Sequence, residues 1–484
     1  MQRKFFSGLA LMMVLNVLIK PIAIFGIDAE VQNVVGTEQY GIYFQLIGLT
    51  FILNILTDFG INNYTVRHVA QYPKVAVSYL GKILTLRVFL FVIYAAVIYS
   101  AAFVFNWNEF QIYLLSFLVL NQLFVSTIAF ARSYFNGMLM FKTEAVLSIL
   151  DRLLLILLCG AILYLPNNEE SFQIEWFVWI QTICYGLAFL VAIVLLLRKT
   201  GIPKLSFRRH FSMAIIRKSL PYALVILLMQ LYTRTDSVMI AELHPKGSLQ
   251  AGYYAQGFRL FDALFMFVMI FTGLLYPIFS KLLIQKEDFK SILASATKLL
   301  LGGTVALGII CFFNAELILG WIYDHDVPKS APSFQWLMLG FVGMSANLLF
   351  GTLLTANGSL RFLNTVSAVG ILINVIANIL LIPSFGASGA AFATLITQAA
   401  VSLVQIVYCM KHFSLSLPII EVLKFIGFSA FVWSLCFFIE VETFGWFALI
   451  GLAVIAGMFT FGLLDFKQLK SIFTSSPSEE IIEA

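Results

Sequence analysis

Charge is scarce in this chain of 484 residues: Asp, Glu, Lys and Arg make up 11% of it, against 61% hydrophobic residues and a mean hydropathy of +0.94. That balance excludes an ordinary water-soluble domain, and the distribution of the net charge of +5 argues against nucleic acid as a partner. Cysteine is scarce too. Cys159, Cys184, Cys311, Cys409 and Cys436 fall in or at the edge of apolar runs with no CxxC or Cys/His spacing, so they read as packing residues, with no disulfide and no metal. Catalytic signatures are missing: no HExxH, GxSxG or Walker A string occurs, and the five His are scattered singly. The string Asp58-Phe59-Gly60 after Thr57 has no kinase context. The expectation is therefore a protein that is not an enzyme and holds no cofactor.

What the sequence has is apolar length. Runs of about twenty residues recur from end to end, each able to cross a hydrocarbon core of roughly 30 Å as a helix, where barrel strands would alternate over about ten residues. Read with Gly, Pro and charge clusters as boundaries, they give about fourteen spans: 5–27, 40–63, 79–104, 111–133, 144–166, 174–197, 218–242, 252–280, 291–320, 332–356, 361–383, 387–410, 418–439 and 444–464. The first run follows Arg3 and Lys4 but is too long for a signal peptide and lacks its cleavage site, so it reads as a transmembrane helix.

Loop charge sets the orientation, because Lys and Arg stay on the cytoplasmic side. Arg3 and Lys4, then Arg67 and Lys74, then Arg132 and Lys142 alternate with loops carrying Asp28, Glu30 and Glu38, then Glu109, then Glu169, Glu170 and Glu175. The connector after span six holds Arg198, Lys199, Lys204, Arg208, Arg209, Arg217 and Lys218. Topology accounts for this basic run, although anionic lipid headgroups or a partner enzyme would also suit it. A multi-pass protein of the inner (cytoplasmic) membrane follows, with both termini cytoplasmic and a short disordered tail over 466–484.

Spans one and two also resemble spans seven and eight. Asp28 followed by Tyr40-Gly41-Ile42-Tyr43 matches Asp236 followed by Ala251-Gly252-Tyr253-Tyr254. The fold class expected is all-α: two parallel six-helix lobes around a central cleft, over 1–200 and 218–411, joined by the basic connector 201–217 and followed by two additional helices over 412–465. A duplication of this kind places a substrate path between its halves, which points to a transporter.

Charges at membrane depth cost about 2.5–3.5 kcal/mol each on insertion scales and need a reason. Here they are Lys20, Arg87, Asp151, Arg152, Arg234, Asp236, Arg259, Asp262 and Lys298, six cations against three anions. Arg259 and Asp262, at i and i+3, can neutralise each other on one helix face. Arg234 and Asp236, two apart, point to different faces. The excess of cations suits an anionic cargo, and guanidinium groups offer phosphate planar, bidentate donors. Lys20, Arg87, Arg152, Arg234 and Arg259 are the candidate substrate-binding residues; Asp28, Asp58, Asp151, Asp236 and Asp262 are candidates for ion coupling or charge pairing. Asp58 also reads as a helix-end carboxylate near Arg67.

The most specific stretch runs from Asn374 and Asn378 through Leu381-Ile382-Pro383 to Phe385-Gly386-Ala387-Ser388-Gly389-Ala390-Ala391-Phe392-Ala393-Thr394. Pro383 should end span eleven, Gly386 permit the return, and the small residues allow close packing. This pattern, with Val31-Gln32-Asn33-Val34-Val35-Gly36 through Tyr40-Gly41, Thr57 to Ile61, Arg67-His68 and Arg234-Thr235-Asp236, resembles the polysaccharide branch, the Wzx-type oligosaccharide flippases, of the multidrug/oligosaccharidyl-lipid/polysaccharide exporter superfamily.

The resemblance implies a two-lobed helical fold with alternating access. Its cargo would be an undecaprenyl-diphosphate-linked oligosaccharide for O-antigen, capsule or exopolysaccharide. The implied partners are that polyprenyl-diphosphate-linked glycan, membrane lipids, H⁺ or Na⁺ as coupling ion, and polysaccharide polymerase machinery. Three rival readings stay open: a lipid II flippase, a cation-coupled multidrug exporter of the same fold, and a membrane polysaccharide polymerase or ligase. Excess arginine argues against the second and short outward loops against the third.

Overall fold

Backbone groups inside lipid have no water to bond with, so an apolar run must satisfy them internally as a helix. The computed structural model is helical at nearly every residue it describes: 15–464, without 17, 72, 165–171, 204, 416–418 and 440–443. The tail 466–484 and the start of the first expected span lie outside the described residues.

A π-helical stretch, Ile22–Asp28, leads into α1 (Ala29–Val35). Then come α2 (Thr37–Leu53), α3 (Ile55–Asp58), α4 (Ile61–Gln71), α5 (Pro73–Val104), α6 (Glu109–Gly137), α7 (Phe141–Leu147), α8 (Leu150–Leu163) and α9 (Ile174–Thr200). Beyond the connector lie α10 (Arg209–Leu243), α11 (Gly247–Gln285), α12 (Lys290–Phe313), α13 (Ala315–Gly320), α14 (Val327–Ala356), α15 (Leu360–His412), α16 (Ile419–Phe438) and α17 (Phe444–Thr460).

Ten helical stretches among the described residues are long and apolar enough to cross a membrane. Fourteen spans were expected, and the difference has physical sources. The 53-residue α15 carries two expected spans in one run. Helix α10 carries Arg217, Lys218, Arg234, Asp236 and Glu242, while α17 has only 17 residues. The first span is only partly described. Within α15 the chain stays helical through Pro383 and breaks only at Gly386, at φ 53°. A side chain there would clash with Gln250, whose Oε1 accepts from the Ala387 N–H at 2.8 Å.

The chain divides into two compact units. The first comprises residues 1–256, 322–327 and 375–387; the second comprises 257–321, 328–374 and 388–484. The lobes read from the sequence describe a repeat, not these packing units, and remain a proposal.

In the first unit α2 packs against α6 and α10. A Cβ at Gly41 would lie 1.8 Å from the Ser248 carbonyl oxygen, and one at Gly252 would lie 2.0 Å from that of Thr37, so only glycine lets the two backbones touch. Residues 41 and 252 are equivalent in the sequence repeat, and 37 and 248 share the same offset, so each half of this contact mirrors the other. Further along α2, Gly48 faces Ser237 of α10 just as closely. Ile61, Leu86, Phe130, Phe135, Leu196 and Ile215 form the apolar core that α4, α5, α6, α9 and α10 share.

Segment 322–327 belongs to this unit although its chain neighbours on both sides do not. Asn33 donates to the Ile322 carbonyl at 3.0 Å and accepts from the Asp324 N–H at 3.3 Å. Thr37 donates to Asp326 at 2.9 Å, and Gln256 to the His325 carbonyl at 3.1 Å.

Among the described residues of the second unit, one apolar core lies around Phe279, Leu349, Leu353 and Leu354, and another joins Ile309 and Ile310 of α12 to Phe428 and Val432 of α16 and Ile450 of α17. Glu421 fastens this last group, pairing with Lys298 at 2.9 Å and Lys424 at 3.1 Å. All five cysteines are free and buried.

Candidate functional site

The expected charged residues of the first unit fall into three groups. The first forms where the helix breaks after Thr57. Helix α3 ends at Asp58, Phe59 takes a left-handed conformation (φ 46°), Gly60 follows at φ 75°, and α4 starts at Ile61. A Cβ on Gly60 would lie 2.9 Å from the Ser219 carbonyl oxygen. The break turns the Asp58 carboxylate to the Asn62 N–H at 3.2 Å and to Nη1 of Arg87 at 2.7 Å.

Arg87 is 6% exposed and its guanidinium is well occupied. Beside Asp58 it donates to Asn62 Oδ1 at 3.2 Å, to the Ser126 carbonyl at 2.7 Å and to Ser126 Oγ at 2.5 Å, and it lies over the Phe130 ring. Thr57 completes the cluster, its hydroxyl 2.8 Å from that of Ser126. Buried charge is tolerable here because ion pairing and hydrogen bonds replace water. Arg87 and Asp58, expected in separate roles, are partners. The side chain of Arg67 lies outside the described residues.

The second group lies around the π-helical stretch. Lys20 precedes it and Asp28 closes it; a π-bulge in an α-helix often marks a functional position. Arg152, on α8, is 3.6 Å from Asp151 and lies over the Tyr185 ring, with Asp28 also in its electrostatic surroundings. Its side chain is 36% exposed.

The third group is on α10. Arg234 lies over the Phe51 ring at 5.3 Å. Asp236, 1% exposed, accepts from Tyr254 Oη at 2.8 Å and from Asn378 Nδ2 at 2.7 Å. In the second unit Arg259 and Asp262 are half-buried, and Lys298 pairs with Glu421.

Several residues of these groups carried no charge signal in the sequence. Asn62, Ser126, Tyr254 and Tyr185 are neutral, and only folding brings them to an ion. Asn378 did stand in the motif around Pro383, but as a sequence pattern rather than as a partner of Asp236. A buried polar network in the second unit was equally silent: Gln405 donates to Asn347 at 2.6 Å and Asn347 to Gln398 at 3.4 Å.

The family model described as polysaccharide biosynthesis protein matches residues 7–283, more than half of the chain. The chain belongs to this polysaccharide biosynthesis protein family. Solved structures of membrane transporters share its fold. A lipid II flippase, MurJ, in an inward closed conformation superposes with a TM-score of 0.71 at 17% identity, covering 96% of this chain and 98% of that one. An inward-facing multidrug resistance MATE family transporter of the MOP superfamily gives 0.62 at 11% identity, covering 85% and 98%. At such identities the likeness is one of fold. The "Uncharacterized membrane protein MJ1375" of Methanocaldococcus jannaschii is 25% identical over 206 residues, 41% of this chain and 46% of the relative, so the match spans less than half of that relative's length. This member of the polysaccharide biosynthesis family is thus a multi-pass membrane protein with the fold of the superfamily's transporters.

Proposed function

We propose that the protein is a flippase that carries a polyprenyl-diphosphate-linked oligosaccharide from the cytoplasmic to the outer leaflet by alternating access, for O-antigen, capsule or exopolysaccharide assembly. The observation that carries this reading is Arg152, a partly exposed cation lying over the Tyr185 ring in an apolar helix of a chain of the polysaccharide biosynthesis family. A diphosphate takes planar, paired donors from such a group, and an aromatic ring beside it gives a sugar a face to stack on. Lys20, Arg234 and Arg259 would add positive potential. Arg87, held by Asp58 and Ser126, would shape the helices rather than touch cargo. The polyprenyl tail stays in lipid, and the membrane is the cytoplasmic one with both chain ends inside.

Asp236 is the carboxylate we assign to a coupling ion, H⁺ or Na⁺, because it is buried, accepts from Tyr254 and Asn378, and lies two residues from Arg234. Transport should then respond to one cation gradient, and Asp236→Asn should uncouple it.

The test is flipping of a fluorescent polyprenyl-diphosphate oligosaccharide in proteoliposomes. Arg152→Ala should slow it at least about tenfold, the loss of one charge-assisted contact. Undiminished flipping by a well-folded variant would sink the assignment. A lipid II flippase is the second reading, favoured by the superposition on MurJ. Depleting the protein in its own host separates the two, since loss of surface polysaccharide supports the first and loss of peptidoglycan precursor export the second.

A further inference from the structure

A recess of about 290 Å³ opens in the first unit between α5, α6 and α9, lined by Leu84, Val88, Phe91, Leu123 and Ile193 with Arg87 and Ser126 at its polar end. Val88 on its rim is well exposed, so the recess is accessible from the outer flank of α5. Following α5 and α9 toward one end of the bundle leads from this apolar lining to Lys82 on α5 and to Arg198 and Lys199 at the end of α9. Lys82 is two residues from the lining residue Leu84, and Arg198 and Lys199 are five and six residues from Ile193, or roughly 8 Å along a helix.

The connector continues that basic collar. Residues 198–218 hold seven Lys and Arg and no Asp or Glu. Retention on one side of the membrane explains such a run, but not what accompanies it: Ile202 is 90% exposed, Leu205 70% and Phe207 55%. Nor does the connector stand clear of the bundle. The Phe207 ring lies 6.1 Å from that of Phe89, on the exposed flank of membrane helix α5, and Lys82 Nζ lies 5.2 Å from the Phe211 ring. Apolar side chains laid against a membrane helix beneath a row of cations have the chemistry of the boundary between acyl chains and headgroups.

We propose that this recess and collar form a binding site for an anionic phospholipid of the bilayer, its acyl chain between α5 and α9 and its headgroup phosphate on Arg198, Lys199, Arg208 and Arg209. A zwitterionic lipid would gain the same apolar contacts but not the headgroup attraction, so the site discriminates by charge. A bound lipid would brace the connector against α5. The proposal does not depend on the nature of the cargo.

The full-length protein, purified in mild detergent from nanodiscs of equal parts phosphatidylglycerol and phosphatidylcholine, should retain phosphatidylglycerol selectively in native mass spectrometry. Arg198→Gln, Lys199→Gln, Arg208→Gln and Arg209→Gln together should lower that retention at least about tenfold. Val88→Trp, which fills the recess from its exposed rim, should lower it without touching a charge. Size-exclusion profiles check that both variants fold. Equal retention of the two lipids, or retention unchanged in both folded variants, would reduce the site to ordinary annular lipid and overturn the proposal. Displacement of phosphatidylglycerol by stoichiometric undecaprenyl diphosphate would also overturn it, assigning the site to cargo.

Discussion

Removing one partner of the Asp58 and Arg87 pair leaves the other charge among apolar helices with its remaining hydrogen bonds but no counter-charge. Breaking a buried pair in this way costs about 3–5 kcal/mol, whereas replacing both members by apolar residues of similar size can be nearly neutral. Asp58→Ala and Arg87→Ala should each lower the thermal midpoint of the purified protein in detergent, and Asp58→Leu with Arg87→Met should recover most of the loss; a double variant worse than either single one would refute the pairing as a stability element. In the sequence Arg87 stood out by its cost at membrane depth and Asp58 as a helix-end carboxylate near Arg67, with no sign that the two meet. Helix spacing within one segment is readable, but Asp58 and Arg87 lie on different helices, and a left-handed residue at Phe59 turns the chain just after Asp58. Residue type decided which side chains deserved suspicion, and the helix break decided their partners. The same holds for Asp236, whose donors Tyr254 and Asn378 come from two other helices.

At the scale of elements, apolar run length placed nearly all the helices, because lipid leaves a helix as the only way for such a run to satisfy its backbone. What run length could not show was where a helix breaks: Pro383 looked like the end of a span, but the chain turns three residues later, where Gly386 takes a positive φ and gives Gln250 room. Glycine also decides the crossing of α2 with the start of α11. Gly41→Val and Gly252→Val would each drive a side chain into backbone, so both should give aggregated protein by size exclusion, whereas Gly451→Ala, which meets nothing nearby, should not. Segment 322–327 makes a second element-level prediction. Its bonds to Asn33, Thr37 and Gln256 tie it to the first unit while its neighbours in sequence pack in the second. Alternating access, as proposed, asks such a strap to let go. A bifunctional thiol reagent joining Thr37→Cys to Asp326→Cys should therefore arrest flipping, with recovery once the linker is cleaved; full activity of the cross-linked protein would mean that the strap stays closed throughout the cycle.

For the molecule as a whole, the energy source follows from the charge of what moves. No nucleotide-binding string is present, and a lipid-linked diphosphate headgroup carries about two negative charges, each of which gains about 2.3 kcal/mol on moving outward across 100 mV of inside-negative potential. Two charges give about 4.6 kcal/mol, which corresponds to an outer-to-inner ratio on the order of 10³ at equilibrium if nothing else moves with the cargo. A coupled cation entering through Asp236 would add its own charge to the same field, while a carrier that brings two cations out with each headgroup would cancel it. Proteoliposomes with a potassium gradient and valinomycin can impose either sign of potential. With an inside-negative potential the labelled headgroup should accumulate in the outer leaflet, and reversing the gradient should reverse the accumulation. A distribution indifferent to potential would exclude electrogenic export of a diphosphate, and Asp236→Asn would then tell whether a compensating cation is responsible: potential dependence that emerges only in this variant would place the missing charge at that carboxylate.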